Sequence, residues 1–271
     1  MNWGNLFGTY HKYPNWRLIL VFCVVLLGVT GINSAAYCVA GVDFLGLCSD
    51  SDVVDVSDNE STSSLKAHDW SYTKYPLYYK VRGKAQTTKI KVGDVNYSGF
   101  DSLGRTQAVT AKVTYQMVAD SAGWREDMPA EADDISGWGH NCEVTVSLSN
   151  GRIYNGYAFN RSHLLADSLG GHAVKENLVT GTRTQNVGNN DVSEPGGMAY
   201  TETLAREYLY KHHNGWIYYC ATPVYKGNEL VCRSVYVDIK SDDGSINQRV
   251  EVFNAMNGYK INYTTGQICV S

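Results

Sequence analysis

Only five prolines occur in 271 residues, against twenty tyrosines. Tyrosine suits half-buried strands and surfaces that meet ligands, so the balance leans towards β-rich structure. Positive charge is also short: 23 Lys and Arg stand against 27 Asp and Glu, a formal net charge of -4. Domains that grip nucleic acid by bulk electrostatics are usually basic overall, so any polyanion site has to be local. The deficit is concentrated early. Residues 1–66 hold three basic and six acidic side chains, which leaves twenty against twenty-one in the other 205. No cysteine pair has the C-x2–4-C spacing of structural zinc sites. There is no HExxH motif, and the residues around Gly93 form no phosphate loop.

Charge is missing altogether from Leu18 to Ile32, after a short region whose only full charges are Lys12 and Arg17. That is the pattern of an export signal. The uncharged run continues to Gly41, long enough for a bilayer, which needs ~20 residues. Ser34-Ala35-Ala36 equally offers a small-residue cleavage site. Basic residues before the run and acidic ones after it place the remainder outside the cell, either released or held on the outer face of the membrane. Residues 50–64 are acidic and serine-rich, too polar to bury enough surface to offset their ordering entropy. The expected organisation is a cytoplasmic or n-region at 1–17, a signal peptide or membrane anchor at 18–41, an acidic Ser/Asp-rich linker at 42–66 and one folded domain at 67–271. Beyond Cys23, Cys38 and Cys48, that domain holds Cys142, Cys220, Cys232 and Cys269. In an exported chain an even number suggests disulfides, with three possible connectivities. Cys220 and Cys232 flank the turn signal Lys226-Gly227-Asn228 and are the first pairing to expect, leaving Cys142 with Cys269; free buried thiols are the alternative.

Within the domain, residues 72–82 and 89–95 alternate as short strands, and 106–119 reads as one long strand after a turn at 100–105. Residues 120–140 have no period and read as a surface loop. Strands at 144–148 and 152–159 flank Asn150-Gly151, a strong hairpin signal, and the second delivers Asn160-Arg161-Ser162-His163. A short apolar strand at 177–182 follows, with a helix starting at Thr184 or Asn186. Residues 198–212 form the clearest helix, with Met198, Thr201, Ala205 and Leu209 at helical spacing. Glu202 projects from that stripe, where a carboxylate is paired, protonated or useful; an i,i+4 pair with Arg206 is the bland account. Segments 216–225, 229–240, 249–255 and 260–269 read as strands of an antiparallel sheet.

Hydrolysing a phosphodiester requires a nucleophile, neutralised phosphate charge and a stabilised leaving oxygen. A histidine can take the proton from water, which makes His163 the candidate base. Mg²⁺ takes oxygen ligands and needs only one or two protein anchors, so the Asn186 carboxamide is the candidate anchor, with Glu202 supporting it from behind. Arg161 and Arg183 bracket that pair and suit a phosphate.

The combination resembles the DNA/RNA non-specific endonucleases of the ββα-metal fold, in their streptodornase-like branch. Five features carry the likeness: the strand ending in Asn160 to His163, Gly170-Gly171, the run Glu176 to Val179, the spacing of Asn177 and Asn186, and Gly197-Met198 followed by Glu202. FDSLGR at 100–105 also resembles the leader of the first core strand in that branch. The likeness covers residues 70–271 and is best between 157 and 204. It implies an α+β fold, a ββα-metal core with a central antiparallel sheet, and a secreted or membrane-anchored DNase whose products carry 5′ phosphates. It puts His163, Arg161 and Glu202 at catalytic positions and Asn186 at the metal, Mg²⁺ or else Mn²⁺. Asn160, Asn177 and Arg183 are expected to contact substrate, which is DNA, with RNA left open. The chain departs from the commoner DRGH form at Asn160 and Ser162. The membrane is a partner only through an uncleaved N-terminal segment, and no inhibitor protein is readable. The competing reading is a surface-attached DNA-binding or DNA-uptake module with a degenerate site.

Overall fold

Residues 65–123 and 126–270 are described by the computed structural model used here. The expected signal or anchor, nearly all of the linker, and Cys23, Cys38 and Cys48 lie outside them.

The centre is a six-stranded antiparallel sheet in the order β1-β10-β9-β8-β3-β2. Its strands are β1 (Tyr79–Gly83), β2 (Val95–Tyr97), β3 (Val109–Thr114), β8 (Trp216–Val224), β9 (Ser234–Ser241) and β10 (Asn247–Phe253). β-branched and aromatic residues fill the long strands, and Ile217, Tyr219, Ala221, Val235, Val237, Ile239, Val250 and Val252 are fully buried. Three further hairpins pair β4 (Glu143–Ser147) with β5 (Ile153–Tyr157), β6 (Phe159–His163) with β7 (Leu178–Thr182), and β11 (Tyr259–Asn262) with β12 (Gln267–Val270). The last pair therefore stands apart from the main sheet, to which its sequence pattern seemed to assign it.

Two other expectations change. The long strand expected over 106–119 ends at Thr114, whose hydroxyl accepts from the Met117 backbone N–H and caps helix α1 (Tyr115–Asp120). A β-branched alternation carries no information about that cap. The second strand of the Asn150-Gly151 hairpin does not run on into the Asn-Arg-Ser-His segment. At Ala158 the chain changes partners: its N–H donates to Cys142 O at 2.8 Å, and its carbonyl accepts from Arg183 N at 2.8 Å. β6 then pairs with β7 instead of β4.

The hairpin β6–β7 leads into α2 (Arg183–Val187), capped by Thr182, whose hydroxyl accepts from Gln185 N at 3.0 Å. This strand-strand-helix unit is tied to the main sheet by Asn254, fully buried beyond the end of β10. Its Oδ1 accepts from Thr182 N at 2.8 Å, and its Nδ2 donates to Thr180 O and Cys232 O at 2.9 and 2.8 Å. α3 (Met198–Lys211) packs its stripe Met198, Thr201, Ala205, Tyr208 and Leu209 into the core. Each large apolar side chain buried there is worth roughly 1.5–3 kcal/mol. Gly197 at its start has φ 57°, and a Cβ there would strike the backbone oxygens of Thr184 and Gln185. The start of α3 thus seats directly on α2.

The cysteines are not arranged as first expected. Cys220 faces Asp238 across β8–β9, and Val224 faces Ser234, so Cys232 lies beyond the far end of that ladder. Four residues of strand separate Cys220 from Val224, ~13 Å at 3.3 Å each, well past disulfide reach. The Cys220 thiol instead accepts from Thr110 Oγ1 at 3.3 Å. Burial pushes the Cys232 thiol up to about 12. Cys142 and Cys269 line one cleft between the β4–β5 and β11–β12 hairpins, with Tyr259 and Ile268.

Candidate active site

β6 presents Asn160, Arg161, Ser162 and His163 in succession, opposite Gly181, Thr180, Val179 and Leu178 of β7. His163 is half-buried at the end of this ladder. The chain after it is held by Asn177, which is fully buried. Its Oδ1 accepts from Leu165 N at 2.9 Å, and its Nδ2 donates to Leu165 O and His172 O at 2.9 and 2.8 Å. Both amide hydrogens and one acceptor position of the carboxamide are thereby committed to the backbone. Asn177 thus braces the loop that follows the histidine.

Asn186 lies in the last turn of α2, half-buried. The Ser162 hydroxyl donates to its Oδ1 at 3.1 Å. That bond joins the helix carrying one candidate residue to the strand carrying the other, one position from His163. Among the described residues no three His, Cys, Asp or Glu side chains gather as a metal cage, so an ion in this region would have to rely on a carboxamide and on water.

The two arginines differ. The Arg161 Nε donates to Ala132 O at 3.2 Å, its Nη2 pairs with the Asp133 carboxylate, and its guanidinium lies 4.7 Å from the Trp138 ring centroid. It pins the loop 130–138 against β6. Arg183 lies 5.6 Å from the Tyr154 ring centroid and has no carboxylate within ion-pair distance among the described residues. Burial pulls its pKa down, a penalty that a neighbouring phosphate would relieve.

Glu202 has a side chain only 15% exposed, with Arg206 Nη1 at 3.9 Å. Arg206 is drawn away by Ser168 Oγ at 2.7 Å and Thr203 Oγ1 at 3.0 Å. Burial raises the Glu202 carboxyl from 4.5 to about 7, and Arg206 offsets only part of that. From β8, the Tyr219 hydroxyl is pushed up chiefly by burial and further by the Glu202 charge. The folded chain keeps the Glu202 proton to about pH 7, whereas the unfolded chain releases it near 4.5. The stability this proton carries is complete below 4.5 and is lost as pH rises through 7, roughly 3 kcal/mol in all. Glu202→Gln should remove that loss. In denaturant titrations the variant gains on the parent chain between pH 5 and 8, and equal slopes for the two would refute the assignment.

Several residues near the site carry no sequence signal. Glu126 accepts from His172 Nδ1 at 2.7 Å and Ala173 N at 2.6 Å. The His172 hydrogen bond, then the Ala173 N–H, holds its carboxyl below the usual range, with a smaller effect from His163. Glu126 and Asp133 both come from the unperiodic stretch 120–140, whose only clue is its acidity. Gln185 is fully buried in α2, and neither side-chain polar atom has a hydrogen-bond partner among the described residues. The cleft lined by Cys142 and Cys269 contains none of the candidate site residues.

Comparison with known proteins identifies the family. Residues 74–267 match the family described as DNA/RNA non-specific endonuclease. A deoxyribonuclease of Streptococcus dysgalactiae subsp. equisimilis is 33% identical over 234 residues, which span 76% of this chain and 70% of that one. The structure of Sda1 nuclease with bound zinc ion superposes with a TM-score of 0.70 at 36% identity, over 75% of this chain and all of that one. NucA from Streptococcus agalactiae, solved with magnesium ion bound, shares the fold at 22% identity, with a TM-score of 0.54 over 71% of this chain and 88% of that one. A match over most of the folded domain, and a relative a third identical over most of both chains, lead to one assignment: this chain belongs to the DNA/RNA non-specific endonuclease family.

Proposed function

We propose that the chain is an exported, divalent-metal-dependent endonuclease that cuts phosphodiester bonds of DNA without strong sequence preference. The bond from Ser162 to Asn186 Oδ1 carries the reading, because it fastens the helix of the proposed metal anchor to the strand of the proposed base. The donor set fits a hard ion. Asn186 offers a neutral oxygen at a half-exposed position, and with no acidic cage among the described residues, Mg²⁺ or Mn²⁺ retaining most of its waters suits it better than a multi-ligand zinc site. When bound, the ion would act as a Lewis acid, stabilising charge on the phosphate and the leaving oxygen. The relatives solved with zinc and with magnesium make a divalent requirement reasonable.

His163 takes the proton from the attacking water at an imidazole nitrogen. Arg183 meets the phosphate with its guanidinium, and Arg161 holds β6 and the 130–138 loop in place through Asp133. Glu202, protonated at or below neutrality, donates a hydrogen bond towards the site or accepts one once ionised. The ββα-metal assignment of β6, β7 and α2 belongs to the same reading. Export rests on the uncharged segment 18–41, and it would place the enzyme outside the cell. In that setting Cys142 with Cys269 is the disulfide to expect, since both line one cleft.

The full chain is expected to nick supercoiled plasmid with Mg²⁺ and to stop in chelator. Cutting that persists in chelator sinks the metal scheme. DNA retention on a filter at low salt, where phosphate contacts are strongest, without any nicking would instead favour the uptake module.

A further inference from the structure

Three buried polar atoms of the β6–β7 hairpin and the helix after it stand out. Gln185 Oε1 and Nε2 and Asn160 Oδ1 are all buried without a hydrogen-bond partner among the described residues. Their neighbourhood follows from Gly181, which sits directly opposite Asn160. A Cβ built on Gly181 would collide with Gln185 Oε1 and with the Ser162 side chain. Residues directly opposite on an antiparallel pair share a face, with Cβ positions about 4.5–5.5 Å apart. Gln185 Oε1 and the Ser162 side chain therefore fill the position that a Gly181 side chain would take, and Asn160 shares that face of the hairpin. Each buried polar group left unsatisfied costs ~1–3 kcal/mol, and buried polar groups of this kind are typically completed by an ordered water making two to four bonds. The chemistry is complementary: an amide donor and acceptor from Gln185, and an acceptor from Asn160.

We propose that Gln185 is a positioning residue for the metal anchor, bridged to Asn160 through a buried water. Gln185 immediately precedes Asn186 on α2, and Asn160 lies on the strand that also carries His163. The bridge is a second tie between α2 and β6, parallel to the bond from Ser162 to Asn186, and together they fix the direction of the Asn186 oxygen. Groups standing behind a metal ligand typically change affinity by about 10–100-fold when removed. This inference rests on Asn186 being the ion's anchor.

The test uses Gln185→Leu, which keeps the volume and removes both polar atoms. Mn²⁺ is titrated into the parent and variant chains, with bound ion read directly by electron paramagnetic resonance and the fold checked by thermal melting. The variant should still melt cooperatively, at a somewhat lower temperature than the parent, because losing the bridge leaves Asn160 Oδ1 without its water-mediated partner. Its Mn²⁺ dissociation constant should rise by about 10-fold or more, and its DNA KM at saturating metal should not change. An intact fold with unaltered Mn²⁺ affinity overturns the proposal and leaves the metal reading standing. A parent chain that binds no Mn²⁺ overturns both. Should Gln185→Leu fail to fold, Gln185→Met is read by the same criteria.

Discussion

His163→Ala is expected to lower the rate of plasmid nicking by about 10²–10⁴-fold, the usual share of a positioned general base, while the chain stays folded. The second half of that expectation comes from the structure. His163 closes the β6–β7 ladder, but the segment beyond it is held by main-chain and Asn177 hydrogen bonds that the substitution leaves in place. The neighbouring Ser162 continues to hold Asn186, so metal binding should survive in the variant. Steady-state cutting rates at saturating Mg²⁺, beside Mn²⁺ titrations of both chains, separate the outcomes. A normal rate removes His163 as base. A lost rate accompanied by lost metal affinity would instead make the histidine part of the ion's surroundings. Because burial raises the Glu202 carboxyl to about 7, rates at neutral pH are best compared in a Glu202→Gln background.

Legibility in the sequence followed the range of the interactions involved. α3 was readable to within a residue, because its stripe is a local period and each member is buried. The β4–β5 hairpin was readable because Asn150-Gly151 states its turn within four residues. Glu202 stood out for the same reason: a carboxylate on an apolar stripe is visible from spacing, and its burial and raised pKa follow. What failed to show was decided at long range. The change of partner at Ala158 depends on Cys142 and Arg183, and the role of Asn177 depends on carbonyls at 165 and 172. The pairing of Arg161 with Asp133, 28 positions away, carries no local signal. Gln185 is the extreme case, since an amide in a five-residue helix carries no periodic signal, and only the gap at Gly181 reveals what surrounds it.

Asn186→Ala should cost on the order of 10²-fold or more in cutting, since Lewis-acid stabilisation is worth several kcal/mol and each 1.4 kcal/mol is tenfold. The loss should come with a higher Mg²⁺ requirement and little change in melting temperature. Asn186 is half-exposed near the end of a short helix, and a single bond from Ser162 engages its oxygen. Asn186→Asp tests why the anchor is an amide. The shape is kept and Ser162 can still donate to the new carboxylate, so the ion should bind more tightly. The added negative charge, however, neutralises part of the ion's field where the phosphate and leaving oxygen need it. Tighter Mn²⁺ binding combined with slower cutting at saturation is therefore the expected signature of a neutral ligand chosen for catalysis over affinity. Equal or faster cutting by the aspartate variant would mean that the amide serves only to accept from Ser162. A near-normal rate for Asn186→Ala would move the metal away from α2 and take the proposed role of Gln185 with it.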